Sequence, residues 1–359
     1  MVDYRTDTLA GQMPLFMHTT KQDALYGGAD LHGRNVFISL CDSDGQTVYK
    51  KRVKADFASV DNALKPFKDR IVRIGVESTF NWYWFVDDLS EAGYAVDLGN
   101  VPKMEQYAGI KETNDLTDAA WLAEQERLGI FPACYIYPKE TRSVRDALRR
   151  RQLLVRQRTQ SVLSLNSLLA RTGNETRSVD TLRSWKQADT EKLELDTFGQ
   201  VQLKALLESF QGNDRVIAEL ESAVLEFAKP TWQYKRVQQA PGIGRILGMT
   251  VSLESGEFDR FPSAGDYASY SRTVKTRRLS NGKKKGSNNR KNGNKYLGWA
   301  FIEAATYAAR YYPRIQAWYD RKKQRKNVTI AKMALACKLS KAVWHIMNGK
   351  DYDEKMLFG

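Results

Sequence analysis

Between residues 28 and 98 the chain alternates apolar runs of strand length with runs of helix length, and two of the strands each carry one acid. The run Gly28-Ala-Asp30-Leu-His-Gly-Arg-Asn-Val-Phe-Ile-Ser-Leu40 reads as strand, and Ile71-Val-Arg-Ile-Gly-Val-Glu77 closes a second strand on Glu77. Residues 36–40 and 47–49 flank Asp42-Ser-Asp-Gly45, whose Asp-Gly pair signals a hairpin. A helix is predicted over 57–68, a buried strand over 71–76, a helix over 82–93 ending at a glycine, and a short strand over 94–98. A hairpin followed by a βαβ unit predicts a mixed sheet covered by helices. Residues 1–22 are polar and aperiodic and read as a flexible lead-in.

An unpaired Asp facing a core at position 30 would be costly, so its place needs a reason. Asp115 and Asp118 lie three apart in Lys111-Glu-Thr-Asn-Asp-Leu-Thr-Asp-Ala-Ala-Trp-Leu, so one helix face carries both. Carboxylates gathered at strand ends and on a helix repel unless a cation sits among them. Hard oxygen ligands favour Mg²⁺ or Mn²⁺. These acids belong to a chain of formal net charge +14 and pI near 9.5, a balance that favours a polyanionic partner such as nucleic acid. A divalent metal inside a polycation points to phosphodiester chemistry. No apolar run reaches spanning length, and neither a signal peptide nor a lipidation signal is found, so a membrane partner is not expected. The three cysteines are far apart, and three histidines make a His-based metal site or triad unexpected. The expected setting is the cytoplasm, at the nucleoid.

Beyond Pro138, residues 141–171 and 193–229 carry long helical patterns joined by a polar stretch, which predicts an antiparallel coiled-coil arm. Arg142, Arg145, Arg149 and Arg156 share one face of its first helix and are candidates to line a nucleic-acid groove; a charged exterior is the plainer alternative. Pro241-Gly242-Ile-Gly244 reads either as a phosphate-holding turn of helix-hairpin-helix type or as an ordinary helix link. Residues 271–295 hold ten Lys/Arg and no acid: Arg272, Lys275, Arg277, Arg278, Lys283, Lys284, Lys285, Arg290, Lys291 and Lys295. Such density should track a phosphate backbone. Ser280 stands among these cations, where a hydroxyl attacking a phosphodiester would find its developing charge neutralised; a flexible basic loop with an incidental serine fits the composition equally. The helix after Lys295 is rich in aromatic residues, read mostly as core, with Asn294 as its N-cap.

Taken in order, Gly28-Ala-Asp30-Leu-His, Val76-Glu77-Ser-Thr-Phe-Asn-Trp82, Lys111 to Ala119, Arg142-Ser-Val-Arg-Asp-Ala-Leu-Arg-Arg, Pro241-Gly-Ile-Gly244 and Ser280-Asn-Gly-Lys-Lys-Lys-Gly with Lys291-Asn-Gly-Asn-Lys-Tyr-Leu297 resemble the DEDD/serine transposases of the insertion-sequence-one-ten family, to which Piv-type invertases are related. The resemblance covers residues 25 to 345. It implies an α/β RNase H-like (RuvC-like) N-terminal domain over 23–140, a long helical coiled-coil arm over 141–232 and a mainly α-helical C-terminal domain over 233–359. It also implies that Asp30, Glu77, Asp115 and Asp118 are metal-binding catalytic acids and that Ser280 is the nucleophile. The expected partners are donor and target DNA, a structured non-coding guide RNA, and further copies of the chain in a homodimer or homotetramer. In this chain Ser271-Arg-Thr-Val274 stands where many members have Gly-Leu-x-Pro, and the serine precedes Asn-Gly rather than Gly. The implied activity is RNA-guided strand cleavage and rejoining through a phosphoserine. The alternatives are a Piv-like site-specific invertase, a metal-only structure-specific nuclease, or a nucleic-acid packaging protein with vestigial acids.

Overall fold

β-branched and aromatic residues alternating with small or polar ones build five strands: β1 (Leu25–Leu31), β2 (Asn35–Cys41), β3 (Thr47–Lys54), β4 (Ile71–Glu77) and β5 (Val96–Gly99). The computed structural model describes residues 23–104, 115–275, 278–280, 283–286 and 292–358. The sheet order is β3-β2-β1-β4-β5, with β1, β2 and β3 antiparallel and β1, β4 and β5 parallel. The expected mixed sheet is therefore present. The run from 28 to 40 is two strands rather than one, because the chain turns back at His32, whose amide donates to the Asn35 carbonyl at 2.9 Å.

Among the described residues, three helices cover this sheet: α1 (Phe57–Leu64), α2 (Trp82–Glu91) and α3 (Asp115–Arg127). Helix α1 is shorter than its pattern suggests. Pro66 cannot donate to a helical ladder, and the chain tightens into 3-10 turns over Lys65–Arg70. Ala29, Leu31, Ile38, Leu40, Ile74 and Val76 form a buried apolar face with Val60 and Leu64 of α1 and Phe85 and Leu89 of α2. Because successive strand side chains alternate, Gly28, Asp30, Gly75 and Glu77 belong to the other face.

The chain divides into two compact units after Ile136. The second begins with α4 (Lys139–Arg171), 33 residues and so about 50 Å long. Short helices α5 (Val179–Ser184) and α6 (Gln187–Glu191) interrupt a stretch that reads as loop, the first capped by Ser178. Helix α7 (Thr197–Ala228) then returns along α4. The late residues Leu165, Leu168 and Leu169 of α4 pack with Leu203, Leu207 and Phe210 early in α7, while Leu148 packs with Val224 and Ala228. The two are therefore antiparallel, with Arg151–Glu221 and Arg158–Asp214 ion pairs along the seam at 2.7 and 2.6 Å.

Helices α8 (Trp232–Val237), α9 (Arg245–Ser255), α10 (Ala264–Tyr270), α11 (Lys295–Tyr311), α12 (Pro313–Arg325), α13 (Val328–Met347) and α14 (Glu354–Phe358) complete this unit. Val251, Tyr267, Phe301, Ala304, Leu339 and Val343 lie in their common core. Between α10 and α11 sits a two-stranded antiparallel ribbon of β6 (Arg278–Ser280) and β7 (Lys283–Gly286). No described helix is long and apolar enough to cross a membrane.

Candidate metal centre and serine segment

Parallel register places the first two acids. Ala29 pairs with Val76, so the next residues, Asp30 and Glu77, end adjacent strands in one row, and Gly99 of β5 pairs with Glu77. The carboxyl ends of parallel strands are where open α/β sheets keep their sites. The preceding row holds Gly28 opposite Gly75. A Cβ on Gly28 would lie 2.0 Å from the Ala119 carbonyl oxygen, so only glycine lets α3 lie directly on β1. Ala119 follows Asp118, and this close approach brings the first turn of α3, with Asp115 and Asp118, over Asp30.

Electrostatics couple the four acids. Burial, with added repulsion from Asp115 and Asp118, holds the Asp30 carboxyl above its usual range, against the opposing pull of His32. Burial raises Glu77 as well, and the negative charges of Asp30 and Asp118 raise it further. His32 joins the group: its Nε2 is 3.0 Å from an Asp30 oxygen and 3.6 Å from an Asp115 oxygen. One donor atom each from Asp30, His32 and Asp115 lies within 4.8 Å of the others, a spacing that can hold one cation. Sequence reasoning did not place His32 beside these acids. Asp-x-His spacing on a strand end was the available signal, and a low histidine count obscured it.

Carboxylates whose burial and mutual repulsion disfavour ionisation suit a divalent cation, so the residues present fit such an ion. Groups raised this way favour folding below the ordinary carboxylate range and withdraw that stability as pH climbs through their raised values. The metal-free protein is therefore expected to lose stability at this site as pH rises above the ordinary carboxylate range, and Mg²⁺ or Mn²⁺ to restore it. Thermal melts should show a larger metal-induced rise at pH 7.5 than at pH 5, by several degrees, and Asp30→Asn should abolish the difference.

Glu126, near the far end of α3, carries a signal that periodicity did not give. It is buried, one of its carboxylate oxygens has no hydrogen-bond partner among the described residues, and burial with the Asp97 charge pushes its carboxyl up to about 7 despite Arg73. Folding stability from this group is lost as pH rises through that value. Glu126→Gln should be more stable than the parent at pH 8, by about 2 kcal/mol in denaturant titration, and nearly equal to it at pH 4.

In the second unit the arginine face of α4 turns inward, which corrects its reading as a nucleic-acid groove. Arg142 and Arg145 are buried, and Arg149 forks onto Glu254 of α9 with its Nε at 2.6 Å and a terminal nitrogen at 2.8 Å. Arg145 reaches the same carboxylate at 3.2 Å and stacks on the Tyr137 ring, while Arg142 Nε donates to the Tyr137 carbonyl at 2.6 Å. Arg156 alone of the four is exposed. Gly242 has a packing role: its φ is +78°, and a Cβ there would lie 2.2 Å from the Ala304 carbonyl oxygen. Gly244, the exposed N-cap of α9, is free of that constraint.

Ser280 ends β6 and pairs with Lys283, which opens β7. The neck of this segment is tied. Arg272, in the left-handed region at φ 54°, donates from Nε to the Asn292 and Gly293 carbonyls at 3.0 Å, so it holds the loop base instead of standing free. Asn294 donates its amide to the Tyr270 carbonyl at 2.6 Å and accepts from the Tyr296 and Leu297 amides as the N-cap of α11. Lys275, Lys283, Lys285 and Lys295 are exposed. Arg278 and Lys284 are described by strand pairing alone, and Arg277, Arg290 and Lys291 lie outside the described residues.

Comparison with known proteins bears on both units. Residues 28–174 match the transposase family DEDD_Tnp_IS110, and residues 234–320 match the "Transposase IS116/IS110/IS902 family". A curated relative, the transposase for insertion sequence element IS1111A of Coxiella burnetii (strain RSA 493 / Nine Mile phase I), is 23% identical over 335 residues, covering 90% of each chain.

Proposed function

This chain belongs to the IS110 family of DEDD transposases and is a DNA transposase of an insertion sequence, and from that premise we propose that it cuts and rejoins strands through a phosphoserine under the direction of an RNA. In this reading the Ser280 Oγ gives up its proton and forms a bond to phosphorus as the bond to one sugar oxygen breaks. That sugar leaves as a hydroxyl, taking up a proton. Because one phosphate ester replaces another, a hydroxyl from a second strand can later displace the serine and reseal the backbone.

Asp30, Glu77, Asp115 and Asp118, joined by His32, would hold a divalent cation, which when bound supplies positive charge to the phosphate oxygens in the transition state. The observation that carries the reading is the coupled acid row at the ends of β1 and β4 beneath the first turn of α3. Lys275, Lys283, Lys284, Lys285 and Lys295 would hold the backbone around the serine, with Arg277, Arg278, Arg290 and Lys291 completing the basic segment. Phe80, 87% exposed and three residues beyond the end of β4, would offer a ring to a base beside the acids. Sequence would be read by pairing with a structured RNA from the element, and the protein would read shape and backbone. A homodimer or homotetramer would bring two strands together.

The test is a reaction of the full chain with Mg²⁺, element-junction DNA labelled on each strand in turn, and the RNA transcribed from the element's flank. A labelled band shifted to the mass of a protein–DNA adduct on a denaturing gel is expected, and its site should move when the RNA's loops are changed. Cleaved ends without an adduct would convert the reading to a metal-only nuclease. An adduct formed equally without RNA would remove the guide.

A further inference from the structure

We propose that the outward face of α11, with the basic helix α12 that follows it, is a stacking site for unpaired nucleotides, an inference that rests on the reading of the chain as a nucleic-acid enzyme. The inward face of α11 is Leu297, Ala300, Phe301, Ala304, Ala305 and Ala308, all buried. That pattern accounts for the fold and leaves Tyr307, Arg310 and Tyr311 together on the opposite side, at i, i+3 and i+4. Tyr307 is 46% exposed and Tyr311 65%. Their rings are nearly parallel, 11° apart, with centroids at 6.4 Å, and the Arg310 guanidinium carbon lies 5.8 Å from the Tyr311 centroid. Neither tyrosine hydroxyl has a hydrogen-bond partner among the described residues. The sequence reading of this helix as mostly core holds for Phe301 and not for these rings.

What surrounds them selects the ligand. Arg310 also lines an open groove of about 430 Å³ between α11, α12 and α13, with Thr306, Gln316, Tyr319 and Lys332. Helix α12 adds Arg314, Arg321, Lys322, Lys323 and Arg325 against the single acid Asp320. None of these cations forms an ion pair among the described residues, so their charge is available to a polyanion. Flat aromatic faces beside an arginine and unpaired cations match a ligand that is itself flat and anionic. Unpaired nucleotides are both: every base offers a π-face, and each linkage carries one charge. A duplex hides its base faces and would gain only the charge. An acidic protein surface could answer the cations but would not offer a flat face to each ring.

The experiment uses the full-length protein and fluorescent twenty-nucleotide probes: one DNA strand, the same sequence as RNA, the DNA duplex, and the DNA strand with its central bases replaced by abasic sites. Tyr307→Ala/Tyr311→Ala is expected to weaken binding of both single strands by about tenfold or more while leaving the duplex unchanged, since stacking contributes at about that scale per base. Tyr307→Phe/Tyr311→Phe, which keeps the rings, should bind as the parent does. The abasic strand should bind the parent about as weakly as the intact strand binds the alanine pair. A deeper loss for RNA than for DNA would assign the site to a guide, and the reverse to a displaced strand. The proposal alone fails if the alanine pair binds single strands like the parent, or loses duplex binding equally, while the protein still cleaves DNA. It fails together with the function if the parent binds no probe. Release of the strand by phosphatidylserine vesicles that bind the parent and not the alanine pair would overturn it in favour of a membrane.

Discussion

Ser280→Ala is expected to abolish the covalent protein–DNA adduct and to lower strand cleavage by on the order of a thousandfold or more, with nucleic-acid affinity unchanged within about twofold. The reason is chemical. Alanine removes the one atom that would bond to phosphorus, whereas Lys283 and Lys285, which would hold the backbone, are untouched. Binding comes from many such charges and should keep its salt dependence, while bond formation comes from one oxygen. Ser287→Ala, also within the basic segment, is the matched control and should form adduct as the parent does. Asp30→Asn should lose cleavage as deeply for a different cause, because the acid row would no longer balance a cation. The two variants separate in one measurement: only Asp30→Asn should lose the Mg²⁺-induced rise in melting temperature. An adduct persisting in Ser280→Ala would transfer the nucleophile to another residue.

The acids were legible because their signal is local. Asp30 breaks an apolar strand, Glu77 ends one, and Asp115 with Asp118 share a helix turn. What made them one site is non-local. It needs the parallel pairing of Ala29 with Val76 and the glycine at 28 that admits α3. Helical periodicity likewise established that Arg142, Arg145 and Arg149 share a face, and it is silent on what that face meets. Their partner is a carboxylate 105 residues beyond Arg149, reached only when α9 packs on α4. The ribbon of β6 and β7 was hidden by its own charge. Four cations in nine residues from 278 to 286 mask any strand alternation, although the Asn281-Gly282 pair is one that two-residue hairpins favour.

Glu254 is where the second unit is expected to be most sensitive. It is fully buried, and burial alone would raise its carboxyl, yet the bonds and charges of Arg149 and Arg145 prevail and hold it below the usual range. Asn294 adds a hydrogen bond to one carboxylate oxygen at 2.7 Å, and Tyr137 donates to the Glu254 backbone carbonyl at 2.6 Å. The three-ion cluster as a whole need not stabilise the fold, since desolvating its members offsets their attraction; removing Glu254 is different, because it leaves Arg145 and Arg149 without their counter-charge. Glu254→Ala should therefore destabilise by about 3–5 kcal/mol, near 10 °C in melting temperature for a unit of this size. Glu254→Gln keeps the shape and an acceptor and should cost less. The triple change Arg145→Met/Arg149→Met/Glu254→Met should recover most of the loss by removing the charges together. A carboxyl held low stabilises above its unfolded range and loses that effect as pH falls through its folded value, so the gap between parent and Glu254→Ala should narrow in acid. The same carboxylate fixes Asn294, which caps α11 and closes the neck of the segment that carries Ser280, so partial loosening below the melting point should depress cleavage before it depresses binding. A Glu254→Ala protein that melts within about 2 °C of the parent would mean that Arg145 and Arg149 find solvent or another anion.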